Sequence, residues 1–262
     1  MADVLRAPIM GAMSGPGKSS LLTRGLRLLR LVVHLLQGLV TVALFFPFYA
    51  KQRRRHAVKI WSGSLLRILG VHLRVRGAVA PLRPLMVVAN HVSWLDIFAL
   101  NAVTPVRFVA KSEIRNWLAI GWLSERTGTL FIERGRRRDT ARVSGLVTEV
   151  LRAGDVVAVF PEGTTTDGSQ VLRFHSSLLQ PALAAEAGVQ PVALRFERSD
   201  GSLCVEAAYD GDKSLWHTLL QIIAQREIRV RLHLLPLLPA DVLHRRALAD
   251  TAQAAIVSSL QL

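Results

Sequence analysis

The chain has 262 residues, half of them apolar, with 33 Lys and Arg against 19 Asp and Glu and a formal net charge of +14. That apolar content excludes a disordered chain, and the length suffices for one large domain with an appendage and a real core. The surplus charge points to an anionic partner: nucleic acid, a phosphorylated substrate or an acidic membrane surface. The single cysteine, Cys204, excludes an internal disulfide and a cysteine cluster for a metal.

The N-terminal stretch "GAMSGPGKSS" (11–20) invites comparison with a phosphate-binding loop. Gly11 stands one residue too early for that spacing, position 12 is Ala, and no strand precedes it. Residues 1–22 read as a flexible basic tail. Residues 31–50, "LVVHLLQGLVTVALFFPFYA", approach the length of a bilayer-crossing helix, interrupted by His34, Gln37 and Pro47. Arg24, Arg27 and Arg30 precede the stretch and "KQRRRH" (51–56) follows it. The bulky "FFPFY" end is unlike a signal-peptide cleavage site, so residues 23–56 read as a retained membrane anchor. The denser basic cluster after it places the following domain on the cytoplasmic side. A helix that re-enters or lies in the interface fits nearly as well as one that spans.

From residue 57 strands and helices alternate. Helical spacing covers 57–69, and "HLRVRG" (72–77) alternates like a half-buried strand. "LMVVA" (85–89) and "VVAVF" (156–160) are continuous apolar runs, as in strands covered on both faces. Further strands are expected at 106–110, 129–133, 191–196, 203–207 and 228–235. Helices are expected from about 94, and at 117–128, 138–152, 176–188, 214–225 and 245–260. This alternation predicts an α/β domain over 57–262, with a mixed, largely parallel sheet flanked by helices.

"NHVSWLD" (90–96) follows a buried strand, where open α/β sheets bind ligands. Five residues on a helix turn through about 140°, so His91 and Asp96 meet only if His91 precedes the helix and Asp96 lies in its first turn. Ser93 as N-cap, starting the helix at Trp94, permits this. Asp96 then reaches the imidazole Nδ1 and leaves Nε2 as a base. The same residues also make a plain S-x-x-D capping box beside an ordinary loop histidine. "GTLFIERG" (128–135) ends a strand at Arg134, a fork suited to phosphate or to a solvated basic turn. In "FPEGTTTDG" (160–168), Pro161 and Gly163 force a turn that exposes Glu162, Thr164 and backbone N–H groups.

In this order, the stretches resemble the four-block pattern of the glycerolipid (lysophospholipid) acyltransferase family. "NHVSWLD" is similar to its H-x4-D motif, "GTLFIER" to its second block, "FPEGT" to its third and "VQPVAL" (189–194) to its fourth. "AKSEI" (110–114) also looks like the segment between the first two blocks. The resemblance spans roughly residues 57–240 and implies a glycerol-3-phosphate acyltransferase-like fold. It implies acyl transfer to a lipid hydroxyl from acyl-CoA or acyl-carrier protein as donor substrate, with no metal and no other cofactor.

By the motif His91 is the base, Asp96 orients it, Arg134 grips an acceptor phosphate, and Glu162, Gly163 and Thr164 line the acceptor pocket. The first expectation for the acceptor is 1-acylglycerol-3-phosphate, giving phosphatidic acid in phospholipid biosynthesis. Where many phosphatidic-acid-forming members carry Arg after the third block, this chain has Thr165. With "FHSSLL" (174–179), that departure is similar to the branch that acylates lyso-ornithine lipid, the alternative acceptor. The expected partners are membrane lipids, lysolipid and acyl donor. A nucleic-acid binder finds no RNP pattern, no zinc spacing and few aromatics. A third alternative is a non-catalytic membrane-tethered binding protein of the same fold.

Overall fold

A computed structural model describes residues 17–117, 119–132, 137–238 and 244–262. Arg134, and all but the end of the tail at 1–22, lie outside the described residues. The elements in chain order are α1 (Leu21–Val40), α2 (Lys51–Leu69), β1 (Val71–Arg76), β2 (Leu85–Ala89), α3 (Leu95–Val103), β3 (Arg107–Lys111), α4 (Ile120–Arg126), β4 (Leu130–Ile132), α5 (Arg137–Arg152), β5 (Val156–Val159), α6 (Gln180–Ala184), β6 (Gly188–Glu197), α7 (Leu215–Ala224), β7 (Ile228–Leu234) and α8 (Arg245–Leu260).

The seven strands form one sheet in the order β1-β7-β6-β2-β5-β3-β4. Every neighbouring pair is parallel except β6–β7, so β1 and β7 run against the other five. The expected mixed, largely parallel α/β sheet is therefore present. Its two central continuous apolar runs, β2 and β5, are buried at every position. Helices cover both faces of the sheet. Leu65, Leu66 and Leu69 of α2, Leu95 and Leu100 of α3, and Ile222 and Ile223 of α7 share one core cluster. Val143 and Val147 of α5, Ala182 of α6, and Leu248 and Ile256 of α8 share the other.

The N-terminal helices form a hairpin on the first face. α1 continues through a π-helical turn at Thr41–Phe45 and a 3-10 turn at Phe46–Phe48, giving a helical segment of 28 residues that is long and apolar enough to cross a membrane. Its inner face locks onto α2 at one point. His34 and Trp61 stack at 4.6 Å, with His34 Nε2 3.0 Å from the Trp61 carbonyl and Trp61 Nε1 donating to the His34 carbonyl at 3.1 Å. Gly38 makes room for this indole, since a Cβ there would lie 2.7 Å from Trp61 Nε1. The outer face exposes Leu22, Leu26, Leu29, Val33, Leu36, Val40, Leu44 and Phe48, a stripe at helical spacing along the whole segment.

Three local expectations differ from the structure. Residues 203–207 are not a strand: Leu203 makes a single bridge to Glu197, and Val205–Ala207 form a 3-10 turn. The cause lies in the preceding loop, where Arg198 turns back to grip Glu206 through two hydrogen bonds and ends the pairing. The helix expected from residue 57 begins at Lys51, so the cluster 51–56 forms its first turns and the helix crosses residues 56 and 57 unbroken. Residues 17–19, placed in the flexible tail by sequence, run beside 224–226: Lys18 bridges Gln225 and the Ser19 N–H donates to the Ala224 carbonyl.

Candidate active site

β2 delivers Asn90 and His91 to its C-terminal end. Asn90 is buried and bonds both backbone groups of Leu194, donating to its carbonyl at 2.9 Å and accepting its N–H at 2.8 Å. It thus prolongs the β2–β6 ladder past Ala89 and fixes where the chain leaves the sheet. α3 is regular from Leu95, with Trp94 already helical at φ −59°, ψ −20°. Ser93 caps it as expected in place, though its hydroxyl accepts from the Leu95 N–H at 3.3 Å. Asp96 completes the other arm of the box, accepting the Ser93 N–H at 2.9 Å.

The same oxygen, Asp96 Oδ2, also accepts the Val92 N–H and lies against His91 Nδ1, both at 2.8 Å. Asp96 is fully buried and the His91 side chain is 21 % exposed. The imidazole lies flat on Phe160, 4.0 Å between centroids and 11° between planes, and Phe160 in turn stacks on Phe108. Two faces of the histidine are thereby constrained, and Nε2 has no hydrogen-bond partner among the described residues. A carboxylate held to Nδ1 fixes the tautomer whose Nε2 is an acceptor.

The turn after β5 comes to meet this histidine. Glu162 is buried, and its two carboxylate oxygens take the His91 N–H at 2.7 Å and the Leu172 N–H at 2.8 Å. Burial pushes the Glu162 carboxyl above its ordinary range. The Leu172 and His91 N–H groups and the His91 ring oppose that shift, and the Asp96 charge adds to it. The Thr166 N–H donates to the His91 carbonyl at 3.0 Å, a second tie between the two stretches. Gly163 carries φ +74°, which suits glycine, and its α-carbon faces the ring of His175. Thr164 is exposed beside it. Thr165 donates its hydroxyl to the Tyr209 carbonyl, and the Tyr209 N–H donates to the Val92 carbonyl at 2.9 Å.

His91, Asp96, Glu162, Gly163 and Thr164 are thus gathered at one end of the sheet, while Arg134 lies outside the described residues. Asn90, Phe160, Leu172 and Tyr209 also build the site and were given no role from sequence. Phe160 stands beside "PEGT" and was available as a neighbour. The others act through backbone contacts across long sequence separations, which leave no local pattern. Cys204 is buried, with its thiol against Glu206. Burial, then the neighbouring Glu206 charge, pushes its thiol up to about 11, so it stays protonated.

An imidazole with one nitrogen tied to a buried carboxylate thus stands at the C-terminal edge of the sheet, and among the described residues no hydroxyl or thiol is hydrogen-bonded to its ring. The chain belongs to the acyltransferase family: two relatives of more than 35% identity cover over three quarters of it, and the Acyltransferase family model matches residues 72–195. It is 39% identical over 203 residues to the lyso-ornithine lipid O-acyltransferase of Pseudomonas aeruginosa, covering 78% of each chain. It is 37% identical over 216 residues to the 1-acyl-sn-glycerol-3-phosphate acyltransferase of Neisseria gonorrhoeae, covering 82% of this chain and 84% of that one. The crystal structure of the 1-acyl-sn-glycerophosphate acyltransferase from Thermotoga maritima shares its fold, with TM-score 0.68 and 19% identity over 91% of this chain and 96% of that one. The protein is an O-acyltransferase that works on a lipid acceptor and an acyl donor.

Proposed function

We propose that His91 is the general base, and that the observation carrying this reading is the 2.8 Å contact of its Nδ1 with the buried Asp96. Nε2 takes the proton from the acceptor hydroxyl as that oxygen bonds to the thioester carbonyl carbon. The carbon–sulfur bond then breaks, and the thiolate of CoA or carrier protein leaves as a thiol with the proton from the imidazolium. Asp96 holds the tautomer and offsets the imidazolium charge. Glu162 sets the position of His91 through its backbone, and Gly163 and Thr164 border the acceptor.

The acceptor is lyso-ornithine lipid or a similarly phosphate-free lysolipid. Thr165 presents a neutral hydroxyl already committed to the Tyr209 carbonyl, where an arginine would meet a phosphate. Asp167 suits the ammonium of an ornithine headgroup: it is held below the usual carboxylate range by the Ser169 hydroxyl and N–H, while Asp210, after Tyr209, is already paired with Lys213. The Pseudomonas relative carries that activity in its name. The second reading is 1-acylglycerol-3-phosphate, favoured by the Neisseria relative and by Arg134 in "GTLFIERG".

The stripe on α1 beds in one leaflet at the cytoplasmic face of the membrane, because the opposite side of the helix is locked to α2 and the core. The acceptor reading is tested with purified protein, labelled acyl-CoA and acyl-carrier protein, and a panel of lysolipids. Turnover of lyso-ornithine lipid at least equal to that of lysophosphatidic acid is expected; faster turnover of lysophosphatidic acid reverses the order of the two acceptors.

A further inference from the structure

At the end of the sheet opposite His91 lies a second concentration of charge. A cleft of about 430 Å³ opens between the start of α2, the start of β3 and the end of α4. Among the described residues Lys51, Arg54, Arg55, Arg107 and Arg126 line it, with Asp155 as the one carboxylate. Asp155 is buried at the entry to β5 and binds Lys51 at 2.6 Å, Arg107 at 2.9 Å and Arg55. Five cations against one anion leave four positive charges over. Arg54 uses its Nε on the Tyr49 carbonyl, and Arg126 lies over the Trp122 ring, so the outer guanidinium nitrogens remain to be used.

The helix that supplies three of these cations begins against its own dipole. α2 has no acidic residue in its first turn, and Ala50 offers no side-chain cap. Uncapped N–H groups together with Lys51 and Arg54 in that turn disfavour the helix start unless an anion neutralises them. The register places Asp155 one residue before Val156, the partner of Leu85. His91 lies six residues beyond Leu85, about 20 Å away along the strand. The cleft is therefore separate from the acyl-transfer site. Directly before it, Leu44, Phe45 and Phe48 are exposed at the tip of the hairpin.

We propose that this cleft is a phosphate site that holds the headgroup of an anionic phospholipid, not a substrate, in the leaflet that receives α1. It rests on the proposal that the α1 stripe beds in the membrane. With Leu44, Phe45 and Phe48 in the hydrocarbon, the cleft stands at headgroup depth, and guanidinium forks match phosphate oxygens there. A lipid bound at this point docks the start of α2 and orients the domain on the surface.

The test compares full-length wild type with Arg54→Glu/Arg126→Glu, which leaves the Asp155 ion pairs in place. Arg245→Glu/Arg246→Glu, two exposed cations of α8 on the opposite face of the sheet, serves as control. Flotation is measured with vesicles of phosphatidylcholine alone and with phosphatidylglycerol added. The cleft variant is expected to lose preference for anionic vesicles by about 30-fold. Its binding to neutral vesicles and its rate on detergent-dispersed substrate should remain. An equal loss in the α8 control, or an unchanged preference in the cleft variant, overturns the proposal. So does a raised KM for acyl-CoA with vesicle preference intact, which assigns the cleft to the soluble donor's phosphates. Failure of wild type to bind neutral vesicles instead refutes the bedding of α1.

Discussion

Asp96 Oδ2 contacts His91 Nδ1 at 2.8 Å while accepting the N–H groups of Val92 and Ser93, so one oxygen both caps α3 and orients the imidazole. The cap fixes the carboxylate at no further entropic cost once the helix forms. Removing the ring with His91→Ala is expected to lower acyl transfer by roughly 10² to 10⁴-fold with the fold intact. Asp96→Asn must present an amide oxygen to three donors or turn its NH₂ toward them, so it should lose both rate and melting temperature. Rate measurements paired with thermal melts check this: a full rate for His91→Ala removes His91 from the role of base, and a full rate for Asp96→Asn removes Asp96 from the role of orienting it.

Glu162 links the site to pH. Burial raises its folded-state pKa above the ordinary 4.5. A raised carboxyl pKa means the folded state binds the proton more tightly than the unfolded state. The corresponding stability is fully present below pH 4.5 and is lost as pH rises through the folded value. The stability of wild type relative to Glu162→Gln is therefore expected to be greatest at low pH and to decline to a plateau above the raised pKa. At neutral pH the variant should be weaker by about 1–3 kcal/mol, because its NH₂ group meets an N–H where an oxygen accepted one. Denaturant unfolding of both proteins across pH 4–8 measures the difference.

The outward stripe of α1 can be altered without touching the core. Leu29, Val33 and Leu36 are 61%, 57% and 56% exposed, on the side of the helix away from Trp61. Replacing all three with Glu should change folding stability by only about 0.5 kcal/mol per site. Vesicle binding should fall at least about a hundredfold, since each residue contributes roughly 1.5–3 kcal/mol when buried in lipid. Co-sedimentation with neutral vesicles is the measurement. Undiminished binding places the membrane contact elsewhere on the molecule.

What the sequence disclosed follows from where the determining forces are local. The buried strands β2 and β5 read directly as continuous apolar runs, because both faces of each are covered. The His91–Asp96 pair was legible because the Ser93–Asp96 cap is a four-residue pattern and the histidine lies just before it. The clamp by Glu162 was not legible. Its partners, His91 N–H and Leu172 N–H, are backbone groups of remote segments, and every residue type carries such a donor. Residues 203–207 alternate like a strand, yet Arg198 and Glu206 close a turn that periodicity does not register. The outer stripe of α1 has a similar explanation: composition gave the apolar segment, but its orientation was decided by Gly38 admitting Trp61.

Thr165 offers the sharpest separation of the two acceptors. Its hydroxyl holds the Tyr209 carbonyl, and Tyr209 in turn bonds Val92 beside the imidazole. Thr165→Arg adds a cation facing the acceptor but removes that tie, so two effects must be told apart. Loss of the tie alone is given by Thr165→Val, which keeps the shape without the hydroxyl and should cost about 1 kcal/mol with a similar rate loss on every acceptor. The arginine variant should show the same general loss together with a gain for phosphate-bearing acceptors, since a new charge-assisted contact is worth about 1.5–3 kcal/mol. Its ratio of kcat/KM for lysophosphatidic acid over lyso-ornithine lipid is then expected to rise by about tenfold or more over that of Thr165→Val. An unchanged ratio in the two variants means that residue 165 does not face the acceptor headgroup, and the preference must be set by another part of the pocket.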